Sequence, residues 1–144
     1  MNKTTFLSLE KTPYEWFLFD AESKTLGRLS TEIAKVLLGK NDARYNSSQN
    51  LCHGVIVINA EKIKVTGKKE EYKFYYRHSG RPGGLTIETF KELKYRIPSR
   101  ILEKSIKGML PKGSLGRELF TKLKIYRGPQ HPHIAQKPKR ITIY

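Results

Sequence analysis

Between Ile106 and Gly128 six cations recur, Lys107, Lys112, Arg117, Lys122, Lys124 and Arg127, with Glu118 as the only acid among them. Leu115, Leu119, Phe120 and Leu123 interleave with them at helical spacing. A helix fixed to a core by that apolar face offers its cations to solvent, where they suit phosphate groups. An isolated run of this kind also fits a merely solvated helix face, so the rest of the chain has to decide.

Two further stretches offer related chemistry. Lys73-Phe74-Tyr75-Tyr76-Arg77-His78 and Lys124-Ile125-Tyr126-Arg127 alternate cations with aromatic rings. Cations pair with phosphates and exposed rings stack on unpaired bases, although period-2 geometry turns half of such rings toward a core. The loop Ser79-Gly80-Arg81-Pro82-Gly83-Gly84 exposes backbone amides beside Arg77 and Arg81. It fits either a phosphate cradle or a tight turn with exposed arginines.

Catalytic and metal signatures are poor. Thr66-Gly67-Lys68-Lys69 lacks the upstream glycine and the following hydroxyl of a nucleotide-binding phosphate loop. Cys52-His53 lacks the spacing of a zinc site, and His131-Pro132-His133 offers two ligands without a third. The two tail histidines fit RNA contact or plain exposure better. His78-Ser79 has no neighbouring acid for a triad, and Asp20, Glu22 and Glu32 lie far along the chain from the basic loops. The expectation is no enzyme, no cofactor, no metal and no small-molecule substrate.

The elements that carry these residues follow from periodicity. Glu15–Asp20 reads as an aromatic-rich strand, and Leu26, Leu29, Ile33, Val36 and Leu37 mark a helix with Thr25 as N-cap and Gly39 just past its end. Gly54–Asn59 is a β-branched run, the pattern of a parallel strand covered on both faces. Glu61–Val65 reads as extended, Thr66–Lys69 as a turn and Tyr72–His78 as a strand. Helices are predicted over Thr86–Tyr95 and from Pro98 onward, the latter burying Ile101, Leu102, Ile106 and Met109. Ser114 is the expected cap of the next helix, and Lys124–Tyr126 the last strand. The organisation is a polar N-terminal extension over 1–13, one α/β domain over 14–127, and an extended Pro-rich C-terminal tail over 128–144. Both termini suit insertion into RNA grooves, disordered until contact.

Charge supports this reading. The 144 residues carry a net charge of +15, yet residues 1–60 hold seven Lys/Arg against six Asp/Glu while residues 61–144 hold twenty-one against seven. Charge of one sign costs stability by self-repulsion, and here it points to a polyanionic partner for the second half. A single cysteine excludes an internal disulfide and fits a reducing compartment. No apolar run has the length of a membrane-spanning helix, and the first residues lack the apolar core of a signal peptide and the arginines of a transit peptide. The absence of helix-turn-helix, zinc-finger and RNP motifs favours a folded RNA bound through shape and backbone.

The ordered blocks Trp16-Phe17-Leu18-Phe19-Asp20-Ala21, Lys24-Thr25-Leu26-Gly27-Arg28-Leu29, Val57-Ile58-Asn59-Ala60-Glu61-Lys62-Ile63, Thr66-Gly67-Lys68-Lys69 and Tyr75-Tyr76-Arg77-His78-Ser79-Gly80 resemble a known family. So do Lys107-Gly108-Met109-Leu110-Pro111, Leu115-Gly116-Arg117 and Gly128-Pro129-Gln130-His131-Pro132-His133. The family is the thirteenth large-subunit ribosomal protein of the bacterial type, and the resemblance covers about Glu15 to Gln136. It implies a three-layer α/β/α fold around a small, mainly parallel four-stranded sheet with extended basic termini. It implies a structural role in the large subunit, binding its ribosomal RNA beside neighbouring ribosomal proteins and supporting early assembly. Lys68, Lys69, Arg77, His78, Arg81, Lys107, Lys112, Arg117, Lys124, Arg127, His131 and His133 are the expected RNA contacts. Residues 1–13 and Leu51-Cys52-His53 depart from the family pattern. The bias to lysine, isoleucine, asparagine and tyrosine suits an AT-rich genome and favours a plastid stroma over a bacterial cytoplasm. Two rivals are a phosphate-handling enzyme using Gly80–Gly84, and a regulatory RNA-binding role off the ribosome.

Overall fold

The computed structural model describes residues 14–142, so the extension over 1–13 lies outside the described residues. Strand β1 (Glu15–Asp20) leads into helix α1 (Leu26–Leu38) and then β2 (His53–Ile58). β1 and β2 pair in parallel from Glu15 opposite His53 to Asp20 opposite Ile58. Every residue of β2 is buried, the condition that its unbroken apolar run predicts. Gly39 stops α1 in the left-handed region at φ 76°, and the amides of Gly39 and Lys40 return to the carbonyls of Val36 and Lys35. Thr25 holds the N-cap position, but its side chain makes no capping bond.

Past β2, Asn59 is left-handed at φ 56°, and Ala60–Lys62 forms a 3₁₀ turn rather than an extended run. A short helix, α2 (Lys69–Tyr72), precedes an antiparallel ribbon of β3 (Phe74–His78) and β4 (Leu85–Thr89). The helix predicted from Thr86 therefore starts later, as α3 (Phe90–Arg96). Thr89 accepts the Glu92 amide and Glu92 accepts the Thr89 amide, a reciprocal cap that fixes the boundary.

Helix α4 (Ser99–Met109) buries Ile101, Leu102 and Ile106. Met109, expected on that side, is exposed at the last turn, where Leu110 takes the buried place instead. In α5 (Ser114–Thr121) the N-cap is Gly113; Ser114 is already helical and caps nothing. Strand β5 (Leu123–Ile125) pairs in parallel with β2.

The C-terminal segment does more than trail from the domain. It forms a 3₁₀ turn at Ile134–Gln136 and then β6 (Lys139–Ile141), which pairs in parallel with β1. The central sheet is thus all parallel, in the order β5-β2-β1-β6. Its fourth strand comes from the stretch expected to be disordered without RNA, while the aromatic Phe74–His78 strand belongs to a separate ribbon.

The α/β layering follows strand alternation. Phe19, Val55 and Val57 point into the core shared with Leu29, Ile33 and Leu37 of α1 and Leu102 and Ile106 of α4. Truncating Leu102 to alanine there would cost about 2–5 kcal/mol. On the opposite face Trp16 lies over Gly54, and His133 stacks on Trp16.

Candidate nucleic-acid interface

The expected RNA contacts fall into three groups. The first lies on the ribbon. Arg77 and His78 are exposed at the end of β3, and Arg81 is exposed in the six-residue loop that joins β3 to β4. Gly80 and Gly83 are left-handed at φ 87° and 74°, and the Gly80 amide donates to His78 Nδ1 at 2.9 Å. The loop is thus a tight turn with outward arginines. Lys68 and Lys69 are exposed at the start of α2, which packs on the same ribbon and on α3.

The second group surrounds the α4–α5 elbow. Lys107, Lys112 and Arg117 line one cavity of about 380 Å³ together with Leu110, Pro111, Gly116 and Phe120. The Lys107 ammonium sits 5.8 Å from the Phe120 ring centre. All three cations are exposed and none forms an ion pair among the described residues.

The third group is the end of the sheet and the tail. Lys124 is exposed on the edge strand β5. Arg127 pairs with Glu61 at 2.9 Å. His133 is held inside the fold: its ring stacks on Trp16, centroids 5.9 Å apart, and its Nε2 lies 2.7 Å from the Tyr126 hydroxyl. His131 is half-buried, and its Nδ1 is enclosed without a hydrogen-bond partner. Arg127 and His133 tie the start of the C-terminal segment to the domain.

A stripe unmarked in the sequence joins the first two groups. Arg100, Lys104 and Lys107 follow one another at i, i+4 and i+7 along α4, opposite Ile101, Leu102 and Ile106. Lys104 lies 5.0 Å from the ring centre of Tyr75 on β3, and Lys107 lies over Phe120 on α5. The helical period that located the buried side could have located this one too.

The acids behave differently. Glu22 pairs with Lys62 at 2.7 Å, Glu15 with Lys139 at 3.1 Å, and Glu88 with Arg96. Burial pushes the Asp20 carboxyl up. Hydrogen bonds from Asn59 and the Glu22 amide, with the charges of Arg140 and Lys62, outweigh it and hold Asp20 below the usual range. The Arg44 side chain, 2.5 Å away, leads a set of contacts that bring Asp42 down to about 2. No group of three or more His, Cys, Asp and Glu is placed to hold a metal among the described residues. No helix among them is long and apolar enough to cross a membrane.

The outward face of the ribbon is different again. Phe74, Tyr76, Leu85 and Ile87 share it, each 45–62% exposed, with His78 at its loop end and no Lys, Arg, Asp or Glu among them. Tyr75, on the other face, packs toward Phe90.

Comparison with known proteins gives this surface its context. The model of the family described as Ribosomal protein L13 matches residues 14–132. A curated large ribosomal subunit protein uL13 from Prochlorococcus marinus is 58% identical over 143 residues, spanning 99% of this chain and 95% of its own. The proteins of that name from Gloeothece citriformis and Synechocystis are 57% and 53% identical over the same spans.

Proposed function

The chain belongs to the ribosomal protein L13 family, and from that premise we propose that it is a structural constituent of the large ribosomal subunit. It binds large-subunit ribosomal RNA and supports early subunit assembly; it is not an enzyme. The observation that carries the RNA reading is the division of charge. The described acids are mostly tied to cations or backbone amides, while Arg77, Arg81, Lys107, Lys112 and Arg117 face solvent without an acid. Lys68, Lys69, His78 and Lys124 extend that surface. Arg127 and His133 contribute by holding the start of the C-terminal segment against the domain. Residues 14–127 form the domain body, with β6 completing its sheet.

Neighbouring large-subunit proteins are the second class of partner. The neutral outward face of the ribbon suits an apolar protein surface better than a phosphate backbone. The working place is the ribosome. The lysine-rich, isoleucine-rich composition supports a plastid stroma over a bacterial cytoplasm, and the cyanobacterial relatives fit either compartment.

The test is sedimentation of a native lysate, probing gradient fractions for this chain before and after a high-salt wash. Co-migration with the large subunit through moderate salt is expected. Residence in the light fractions alone would overturn the reading.

A further inference from the structure

The cavity at the α4–α5 elbow has a composition unlike the hollows along β1 and α1. Each of those includes acids: Glu32 beside Arg28 in one, Glu15 and Asp42 in another, Asp20 and Glu22 beside Lys24 and Arg140 in a third. The elbow cavity has three cations and no acid, and its remaining walls are Leu110, Pro111, Gly116 and Phe120. The hollow over Thr66–Lys73 is also acid-free but more open, with Tyr72 as its only ring.

The shape is written into the sequence. A β-carbon on Gly116 would overlap the Pro111 carbonyl oxygen, so only glycine lets α5 seat this closely against the turn after α4. The cavity volume, about 380 Å³, falls within the roughly 300–1,000 Å³ of pockets that hold small organic groups.

Cations alone would serve the outside of an RNA duplex. A duplex backbone, however, leaves a recessed apolar floor filled with water. A group with a flat apolar body and an attached anion covers the floor and meets the cations together. We propose that this cavity takes a single unpaired nucleotide of the bound RNA, its base against Phe120, Leu110 and Pro111 and its phosphate on Lys107, Lys112 and Arg117. This rests on the RNA-binding reading and narrows it to a place where the RNA is not paired. Base-on-ring contact tolerates any base, so the site favours an extruded nucleotide over a particular sequence.

The full chain should be titrated with AMP, UMP and ribose 5-phosphate while the Phe120 ring resonances are followed by NMR, assigned with Phe120→Leu. Both nucleotides should shift those resonances and bind about fivefold or more tighter than the sugar phosphate. Equal binding of all three with an unmoved ring overturns the proposal. A large-subunit RNA fragment, measured in parallel, separates the two claims. If it binds while nucleotides show no preference over ribose 5-phosphate, the nucleotide site falls and the RNA reading stands. If Phe120→Leu does not fold, the titration of the unaltered chain still decides.

Discussion

Trp16 stacks on His133 with 12° between the ring planes, across a gap of 117 residues in sequence. Gly54, opposite Trp16 in the parallel register, is what lets the indole lie flat on β2. A β-carbon at Gly54 would come within 2.5 Å of that ring, and the ring has His133 behind it. Gly54→Ala should therefore cost about 1–3 kcal/mol, as overpacking of a filled site does. Urea unfolding followed by fluorescence of Trp16, the only tryptophan, would measure it. An unchanged midpoint would mean that the stack yields freely.

The same stack makes the C-terminal segment a working part of the domain. Removing residues 137–144 deletes β6, frees one edge of β1, and breaks the pairs Lys139–Glu15 and Arg140–Asp20. The truncated chain should unfold at lower urea and aggregate more readily, since a bared strand edge is a template for pairing. A midpoint equal to that of the full chain would restore the picture of a dispensable tail.

The periodic elements are legible in the sequence because each reports a face. Leu26, Leu29, Ile33 and Leu37 can only be one side of a helix, and the unbroken Gly54–Ile58 run can only be covered twice. Lys139–Ile141 carries no such signal. The strand is three residues long, flanked by proline and cations, and its pairing is decided by a distant partner, β1. Leu85–Thr89 misleads for a different reason. Ile87, Phe90 and Leu93 sit at helical spacing, yet Ile87 is on the exposed ribbon face and only the latter two are buried. Of the candidate site, the clusters of cations are visible in the sequence. That Lys107, Lys112 and Arg117 share a cavity is not, because the elbow depends on the close approach of Gly116 to Pro111.

Thr89-Phe90-Lys91-Glu92 holds the true start of α3 in plain view as a reciprocal capping sequence. Thr89→Ala should remove the bond to the Glu92 amide and cost about 1 kcal/mol, whereas Thr89→Ser should keep most of it. Circular dichroism during urea unfolding of both variants tests this. Equal destabilisation of the two would show that the threonine methyl, not the hydroxyl, matters there.

His53 should give the fold a dependence on acidity. Burial lowers its pKa from the ordinary 6.5; the charges of Asp42 and Glu15 pull upward and those of Arg44 and Lys122 push down. Its Nδ1 has no partner, its ring meets Phe17 edge-on, and Asp42 lies 3.8 Å from Nε2. A depressed value means that the unfolded chain binds the proton more readily. Stability is then full above about 6.5 and falls as the pH drops below it. Asp42, held at about 2 against 3.8 when unfolded, loses its contribution only in stronger acid. Urea midpoints at about pH 7.5 and 5.5 should differ in the parent and differ less in His53→Gln. The same difference in both chains would place the proton uptake elsewhere.

Arg100 and Lys104 supply the sharpest test of which cations meet phosphate. They lie on the stripe between the ribbon and the elbow, whereas Lys62 and Lys139 are already matched to Glu22 and Glu15. If the RNA backbone crosses α4, each phosphate-binding cation removed from the stripe should reduce the slope of log affinity against log salt by roughly 0.7–0.9. Lys62→Gln and Lys139→Gln should scarcely move it, because the freed acids replace one neutral pair with one negative charge away from the path. Thermal unfolding should barely separate Arg100→Gln and Lys104→Gln from the parent, since neither side chain belongs to the buried core. Filter binding of a large-subunit RNA fragment across a salt series distinguishes the cases. A slope lowered equally by all four substitutions would mean that net charge alone, and not a defined path over α4, holds the RNA.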